Sequence, residues 1–136
     1  MDITRFSVDT HDRRIVDITN RLRAFARSHG GDGLLAVFLP HATAGLAVIE
    51  IGSGTEADLE AAVDRLLPRA GEYAHAHGRE GHGADHVLPA FIGPSLTLIV
   101  EAGDIVLGRW QSVVVVDPNR SNDTREVRVS LVRGVV

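Results

Sequence analysis

The sequence predicts an α+β fold, a single domain over residues 1–136 built as a mixed or antiparallel β-sandwich with two main flanking helices. Three observations lead to this prediction. The chain of 136 residues is long enough for one domain with its own core and short for two. Two segments in its first half carry apolar residues at helical spacing. Its last third consists of short apolar runs separated by turn residues, as antiparallel strands require.

The chain begins with a strand pattern and continues into a helix pattern. Ile3–Val8 alternates polar and apolar side chains roughly as a half-buried strand does. From Asp17, apolar residues recur at positions i, i+4, i+7 and i+8, which predicts an amphipathic helix that ends at the glycine pair 30–31. Gly33–Leu39 is a continuous apolar run closed by Pro40, which predicts a strand covered on both faces.

A second helix follows a further strand, which is predicted over Leu46–Ile51. Thr55 is the expected N-cap of this helix, and Asp58, three residues later, is its expected capping-box partner. The long polar, glycine-rich segment after the helix runs into Val87–Ile92, which predicts one or two helical turns. One face of the second helix collects the apolar residues Leu59, Ala62, Val63, Leu66 and Leu67.

Four strands are predicted in the last third of the chain: Ser95–Val100, Ile105–Leu107, Gln111–Val116 and Thr124–Val132. The turns between them carry Gly, Asp, Asn and Pro, which suit hairpins. Val113–Val116 is apolar on both faces of its strand, so at least one face is expected to meet more than the core of this chain. An oligomer interface would explain this pattern.

Composition excludes several functional classes. The chain has no cysteine, which excludes disulfides, thiolate metal sites and cysteine nucleophiles. All 14 basic residues are arginine, so no lysine is available for Schiff-base chemistry or for a phosphate loop. A net charge of −4 and scattered arginines argue against a nucleic-acid partner. The apolar runs are too short to cross a bilayer and the N-terminus lacks a signal-peptide pattern, so we expect a cytoplasmic protein without a membrane partner.

The segment HAHGREGHGADH, His75 to His86, holds four of the seven histidines of the chain. His75 and His77 share a face if their segment is extended, whereas His82 and His86 share a face if theirs is helical. Either pair could chelate a metal, because neutral imidazole is the commonest metal ligand. The alternatives are a set of acid–base groups, a loop that closes around an anion, or a solvated loop that is rich in histidine.

Three segments together resemble the signature blocks of the YjbQ family: HATAGLAVIE at residues 41–50, the histidine segment running on to IGPSLT at residues 92–97, and LGRWQ at residues 107–111. Their order and spacing match over nearly the whole chain. The resemblance implies a sandwich that assembles as a homotrimer, with a polar pocket near the subunit contacts. It also implies a secondary thiamine-phosphate synthase activity, which joins a hydroxymethylpyrimidine diphosphate to a thiazole phosphate and releases pyrophosphate.

The resemblance places catalytic roles on three residues. The pocket histidine and the acid of the first block fall on His41 and Glu50, and the glutamine of the last block is Gln111. For His41, which stands where a predicted strand ends, the alternative is a histidine bonded to the backbone. A small phosphorylated molecule is the expected ligand. Residues 43–45 could offer backbone N–H groups and a hydroxyl to its phosphate, although a plain turn of small residues would have the same sequence. Its binding groups are expected among Thr43, Ala44, Gly45, Ser95 and Arg109.

A divalent metal, Zn²⁺ or Mg²⁺, is the expected cofactor, and four histidines are its candidate ligands. The resemblance implies His75, or His77 if the loop is shortened, together with His86. Spacing adds His82, which lies four residues before His86 and would share its helix face.

The sequence also departs from the family pattern. Ala42, Ile49 and Ala74 stand where the family usually has a polar residue, an asparagine and an arginine, and Arg109 stands where it often has a threonine. Substrate handling could therefore differ, and the main alternative to an enzyme is a non-catalytic trimer that binds a metal or a phosphorylated ligand. Trp110 is expected in the core, because burying an indole removes a large apolar area from water.

Overall fold

The computed structural model of the protein describes residues 2–134 and consists of strands with three α-helices inserted between them. The strands are β1 (Asp2–Asp9), β2 (Ile15–Asp17), β3 (Gly33–Phe38), β4 (Gly45–Ile49), β5 (Ser95–Glu101), β6 (Asp104–Ile105), β7 (Ser112–Val116) and β8 (Thr124–Val132). The helices are α1 (Thr19–His29), α2 (Thr55–Leu66) and α3 (His82–Val87), and a short 3₁₀ turn, Leu88–Ala90, follows α3. The α+β prediction is therefore confirmed, with a third helix that starts earlier than the one expected from Val87.

The strands form two antiparallel sheets. The larger sheet has the order β1-β8-β3-β5-β6 and the smaller has the order β2-β7-β4. The pairing within both sheets is antiparallel, so the sandwich is antiparallel and not mixed. In the larger sheet β3 lies between β5 and β8, with Leu34 opposite both Ile99 and Val132.

The main core lies between the larger sheet, the smaller sheet and α1. Leu22 and Ala26 of α1 are fully buried, as the predicted amphipathic face requires. Burying such a stripe removes roughly 1.5–3 kcal/mol of unfavourable hydration per large side chain, which holds the helix on the sheets. The inner faces of the strands supply most of the other buried residues, including Leu35, Val37, Leu98, Val100, Val113, Val115, Val127, Val129 and Leu131.

The valines of β7 lie between two cores of the same chain. Val113 and Val115 face the main core, whereas Val114 and Val116 face a second core formed with α2 and α3. All four are buried within one chain. The expectation that one valine face needs a partner subunit is wrong, because α2 and the α3 region cover the side of the smaller sheet that the sequence pattern left unassigned.

The larger sheet leaves apolar side chains on its outer face. β3 alternates between buried and accessible positions, so it is not covered on both faces as its apolar sequence predicted. The exposed positions belong to four neighbouring strands and to the residue after β6. They are Ile3, Leu34, Phe38, Ile99, Val106 and Val132.

Two sequence predictions about local structure are wrong. The N-cap of α2 is Gly54, in the left-handed conformation at φ 92°. No side chain in residues 2–134 caps this helix, so Thr55 and Asp58 do not form a capping box. The backbone N–H of Gly52 instead donates to the Glu56 carboxylate at 2.6 Å. Trp110 is 64% exposed, and the Arg109 guanidinium lies 4.9 Å from the centre of its ring. The large indole is therefore a surface group and not part of the core.

Within residues 2–134, no helix combines the length and the apolar character needed to span a bilayer.

Candidate metal centre

Helix α3 brings His82 and His86 together. The two residues are one helical turn apart, and their Nε2 atoms lie 3.2 Å from each other. The helix starts after Gly81, whose φ of 84° turns the chain from the preceding loop into the first helical residue. A left-handed residue at this point favours glycine, which explains why the histidine segment is interrupted there.

The extended segment before α3 adds His75 and His77. The His75 ring lies 4.3 Å from the rings of His77 and His86, measured between centroids, and 4.9 Å from the ring of His82. One ligand nitrogen from each of His75, His82 and His86 lies within 4.8 Å of the other two. His77 is packed against His75 and His82 but stands outside this set of three. The structure thus brings together all four histidines named from the sequence.

The spacing of the His82 and His86 nitrogens suits a tetrahedral ion. Ligand nitrogens about 2.0–2.1 Å from zinc lie about 3.3–3.4 Å from one another, so the pair formed by His82 and His86 is close to ligand geometry. The same two nitrogens are also within hydrogen-bond distance of each other. His75 completes the set after a small rotation or shift, since it lies on a separate, exposed segment.

Two glycines allow the segment to fold onto the helix. A Cβ at Gly83 would lie 2.6 Å from both the carbonyl oxygen of His75 and the Cβ of Tyr73, so only glycine permits this approach. A Cβ at Gly78, where φ is 85°, would lie 3.1 Å from Cγ of His82. The His82 ring therefore rests on the bare backbone at Gly78. Its Nδ1 atom is buried and has no hydrogen-bond partner among the described residues, so packing holds this ring in place.

Electrostatics favours the neutral form of the His75 ring. Loss of hydration lowers the pKa of His75, and repulsion from the neighbouring histidines His77, His86 and His82 lowers it further. The neutral imidazole is the form that binds metals. The neutral His75 ring is therefore available to an ion shared with His82 and His86.

The two acids of the segment, Glu80 and Asp85, are not part of the set of three converging ligand atoms. Asp85 is 1% exposed and is engaged by the Arg69 guanidinium, at 2.7 and 3.2 Å, and by the Asn119 amide, at 3.0 Å. Glu80 contributes its backbone carbonyl to Arg69. Sequence reasoning did not identify Arg69 and Asn119, which lie well outside the histidine segment. The sequence did carry one signal for such partners. Asp85 lies between two candidate histidine ligands, and a carboxylate that becomes buried there needs a hydrogen-bonding partner.

His41 has a structural contact of its own. Its Nε2 atom accepts a hydrogen bond from the backbone N–H of Glu126 at 2.8 Å. Burial lowers the pKa of His41, and the nearby Arg125 charge lowers it further. The neutral ring that results can accept this bond, whereas a protonated ring could not. The structure thus places His41 as a backbone-bonded histidine that fixes the chain after β3 against β8.

Residues 43–45 are packed inside the protein. The Thr43 hydroxyl accepts a hydrogen bond from the Arg125 guanidinium at 2.8 Å. Ala44 is fully buried, and a Cβ at Gly45 would come within 2.0 Å of the carbonyl oxygen of Ile92. These groups are thus occupied by contacts within the chain, and the structure shows no open anion-binding loop at residues 43–45. The anion-binding role of Thr43, Ala44 and Gly45 stays a prediction.

The remaining candidate residues lie on the surface, and among residues 2–134 no hydrogen bond or ion pair joins them to the histidines. Gln111 closes a turn, with its Oε1 atom accepting from the Gly108 N–H at 2.7 Å. Arg109 stacks on the neighbouring indole, and Ser95 begins β5 opposite Phe38. Glu50 is exposed after β4. The structure does not gather these four with the histidine cluster.

Comparison with known proteins agrees with the resemblance. The family model described as "UPF0047 protein YjbQ-like" matches residues 4–134. The UPF0047 protein Rv2556c of Mycobacterium tuberculosis is 55% identical over 134 residues, which cover 98% of this chain and 100% of that protein. The UPF0047 protein YugU of Bacillus subtilis is 30% identical over 102 residues, covering 73% and 75% of the two chains.

Solved structures show the same fold. The hypothetical protein APE1520 of Aeropyrum pernix superposes with a TM-score of 0.86 at 27% identity, over 97% of this chain and 98% of the other. An uncharacterized YjbQ/UPF0047 protein of Clostridium acetobutylicum gives a TM-score of 0.82 at 28% identity, over 95% and 99%. On the family match, the sequence identity and the shared fold, the chain belongs to the YjbQ-like UPF0047 family.

Proposed function

We propose that this protein is a metal-binding protein in which His75, His82 and His86 hold a divalent transition metal. The observation that carries the proposal is the convergence of three imidazole nitrogens within 4.8 Å, two of them 3.2 Å apart. Zinc suits such a set, because imidazole is one of its preferred ligands. Magnesium, the other divalent ion expected from the sequence, prefers oxygen ligands in octahedral geometry. A set of three nitrogen ligands therefore disfavours it.

The site leaves room for a further ligand. Three protein ligands with an open fourth position are typical of catalytic zinc sites, whereas structural sites have four. An open cavity of ≈ 270 Å³ adjoins the cluster and is lined by His75, His77, His82, Arg69 and Arg79, among others. Arg69 is paired with Asp85, and Glu80 also lines the wall, so Arg79 and the proposed ion are the groups that would attract an anion. On this basis we propose a small phosphorylated molecule there.

A larger groove elsewhere is a weaker candidate. It measures ≈ 430 Å³ and lies beside β2 and α2. Its lining mixes both charges and contains no histidine, so it favours neither an anion nor a transition metal. The charged residues are Asp12, Arg13, Arg14, Asp17, Glu56, Glu60 and Arg120.

The finer proposal, which rests on the family resemblance, is a thiamine-phosphate synthase-like transfer at this cavity. When bound, a divalent ion supplies charge neutralisation for the departing diphosphate. Arg79 would bind phosphate oxygens, and His77, which packs against two of the proposed ligands, would exchange a proton with a bound substrate. The alternative is binding without catalysis, which the internal contacts of His41 and Gln111 favour.

We also propose that the protein assembles as a homotrimer. The support is the apolar outer face of the larger sheet, which exposes Leu34, Phe38, Ile99 and Val132 on neighbouring strands. Sedimentation equilibrium of the wild type and of Leu34→Asp tests it. A trimer that Leu34→Asp dissociates supports the proposal, and a monomeric wild type contradicts it.

Elemental analysis of untagged protein tests the metal proposal. After zinc supplementation and dialysis, the wild type should retain about one zinc ion per chain, and His82→Ala should retain almost none. His11→Ala is the matched control, because His11 lies outside the cluster and pairs with Asp123. Magnesium supplementation should leave little bound ion. A wild type that retains no zinc, or a loss in His11→Ala equal to that in His82→Ala, would overturn the metal centre.

Turnover separates the enzyme from the binding alternative. Protein loaded with zinc and protein treated with chelator are each given the pyrimidine diphosphate and the thiazole phosphate. Product formation that disappears with the chelator supports the transferase. Stoichiometric zinc without turnover supports a binding protein.

Gly83→Ala should destabilise the fold and weaken zinc binding. Alanine raises helix propensity by about 1 kcal/mol relative to glycine, which would favour α3. The added Cβ, however, would clash with His75 and Tyr73 at 2.6 Å, and overpacking costs about 1–3 kcal/mol or more. Because one of these partners is backbone, the clash outweighs the propensity and displaces His75.

Urea unfolding and zinc titration of Gly83→Ala check this expectation. Gly93→Ala is the control, since its new Cβ would have its nearest neighbour 4.0 Å away. That control should stay within about 0.5 kcal/mol of the wild type. Unchanged stability and unchanged zinc affinity in Gly83→Ala would show that His75 does not depend on this close approach.

A further inference from the structure

We propose that Asp85 is the positioning residue of the metal centre, acting through helix α3 by way of a buried polar network that joins the helix to the β-sandwich. The proposal rests on the proposed metal centre. Asp85 lies in the same six-residue helix as His82 and His86 but points into the protein, where it is almost completely buried. A helix of this length is unstable by itself, so its position must come from tertiary contacts.

Arg69 fastens the first turn of the helix. Its guanidinium makes two hydrogen bonds to the Asp85 carboxylate and a longer one, at 3.4 Å, to the Glu80 carbonyl. The same group lies against the backbone of Gly81, where a Cβ would come within 2.1 Å of it. Arg69 therefore fixes both the left-handed turn that starts α3 and the carboxylate inside it.

Asn119 connects Asp85 to the sheets. Its side-chain amide donates to Asp85, and its backbone N–H donates to the Asp117 carboxylate at 3.1 Å. Asp117 in turn accepts two hydrogen bonds from Arg125, at 2.7 and 2.8 Å, and Arg125 donates onward to Thr43. Asp85, Asn119, Asp117, Arg125 and Thr43 are all buried. The network reaches solvent only in part, at its Arg69 end.

The buried network fixes the positions of the proposed metal ligands through the backbone of α3. Zinc ligands must be held within about 0.5 Å of their productive positions by supporting groups. Among residues 2–134 the Nδ1 atom of His82 has no hydrogen-bond partner, so its ring is held by packing and by its contact with His86 in the same helix. The placement of His82 and His86 therefore depends on where the backbone of α3 lies, and Asp85 is the residue of α3 that bonds to the rest of the protein through its side chain.

Asp85→Asn tests the proposal in the full-length protein. The change keeps the shape of the side chain but removes the charge that pairs with Arg69. Zinc binding, measured by competition with a chromophoric chelator, should weaken by about tenfold to 100-fold, the range for groups that support metal ligands. The visible absorption of Co²⁺ bound at the site should also change, because the angle between His82 and His86 changes.

Val8→Ala is the stability control. Val8 is buried in the main core on β1, so its truncation lowers the melting temperature without touching α3. It should leave the zinc affinity and the Co²⁺ spectrum as in the wild type. If Asp85→Asn lowers the melting temperature but also binds zinc with wild-type affinity, Asp85 has only a structural role and the proposal is overturned.

If Asp85→Asn does not fold, Arg69→Lys tests whether the contact between Arg69 and Asp85 positions the zinc ligands. Lysine keeps the positive charge and loses the two-pronged contact, so zinc binding weakened by roughly threefold or more supports positioning, and unchanged binding overturns it. A wild type that binds no zinc overturns both this proposal and the metal centre. Wild-type binding with no effect of either variant overturns this proposal alone.

Discussion

Asp117→Ala is expected to lower the free energy of unfolding by about 3–5 kcal/mol, because it leaves a buried arginine without its counter-charge. Arg125 is 2% exposed and gives Asp117 two hydrogen bonds. Asp117 also accepts the Thr10 hydroxyl at 2.6 Å and the backbone N–H of Asn119. The substitution therefore removes four hydrogen bonds from the interior at once. Urea unfolding of the metal-free protein at neutral pH measures the effect.

Asp104→Ala provides the matched control. Asp104 also pairs with two arginines, Arg23 and Arg27, at 2.7 and 2.8 Å, but at the surface. Surface ion pairs contribute little to stability, so this change should have a much smaller effect than Asp117→Ala. If Asp117→Ala costs no more than Asp104→Ala, the buried pair does not hold the fold in the way that its contacts suggest.

His86→Ala is expected to weaken zinc binding more than about 100-fold, the upper end of the range for supporting groups, because it removes a proposed ligand outright. His77→Ala should weaken zinc binding by less than about tenfold, since its ring packs on two proposed ligands without joining the set of three. Titration of both variants against the same chelator competitor gives the two affinities.

This contrast also tests the open fourth position. Equal losses in His77→Ala and His86→Ala would mean four protein ligands and hence a closed, structural site. His29→Ala is the control for a lost imidazole, because His29 bonds to the Phe25 carbonyl at the end of α1. Its zinc affinity should equal that of the wild type.

Periodicity predicted much of the fold because its signals are local. The helix after Asp17 and the strands of the last third depend on spacing and turn residues, and the structure confirms them. The Val113–Val116 run was misinterpreted because a fully apolar strand shows only that both faces are covered. The sequence does not show which part of the protein covers each face. In the structure, one face is covered by the second core, around Val63 and Leu88.

The histidine cluster was predictable in part. Spacing alone placed His82 and His86 on one helix face, and α3 has that arrangement. The approach of His75 was not predictable from spacing, because it depends on the close contact over Gly83. The partners of Asp85 could not be predicted from local sequence patterns either, because Arg69 and Asn119 lie 16 and 34 residues away in the sequence.

The first signature block has a structural explanation in this chain. Thr43 accepts a hydrogen bond from Arg125, and His41 accepts one from the backbone of β8 next to it. Gly45 allows close contact with Ile92, a few residues after α3. The block thus lies at the far end of the network that positions α3, and its catalytic role remains a prediction to be tested by turnover.

Zinc K-edge X-ray absorption of the protein loaded with equimolar Zn²⁺ tests the central claim most directly, because it reports the ligands around the ion. The account predicts a four-coordinate site with three imidazole nitrogens at about 2.0–2.1 Å and one non-histidine oxygen or nitrogen ligand. A spectrum without imidazole scattering, or one with a six-coordinate shell of oxygen, would contradict the assignment of His75, His82 and His86 as the metal centre.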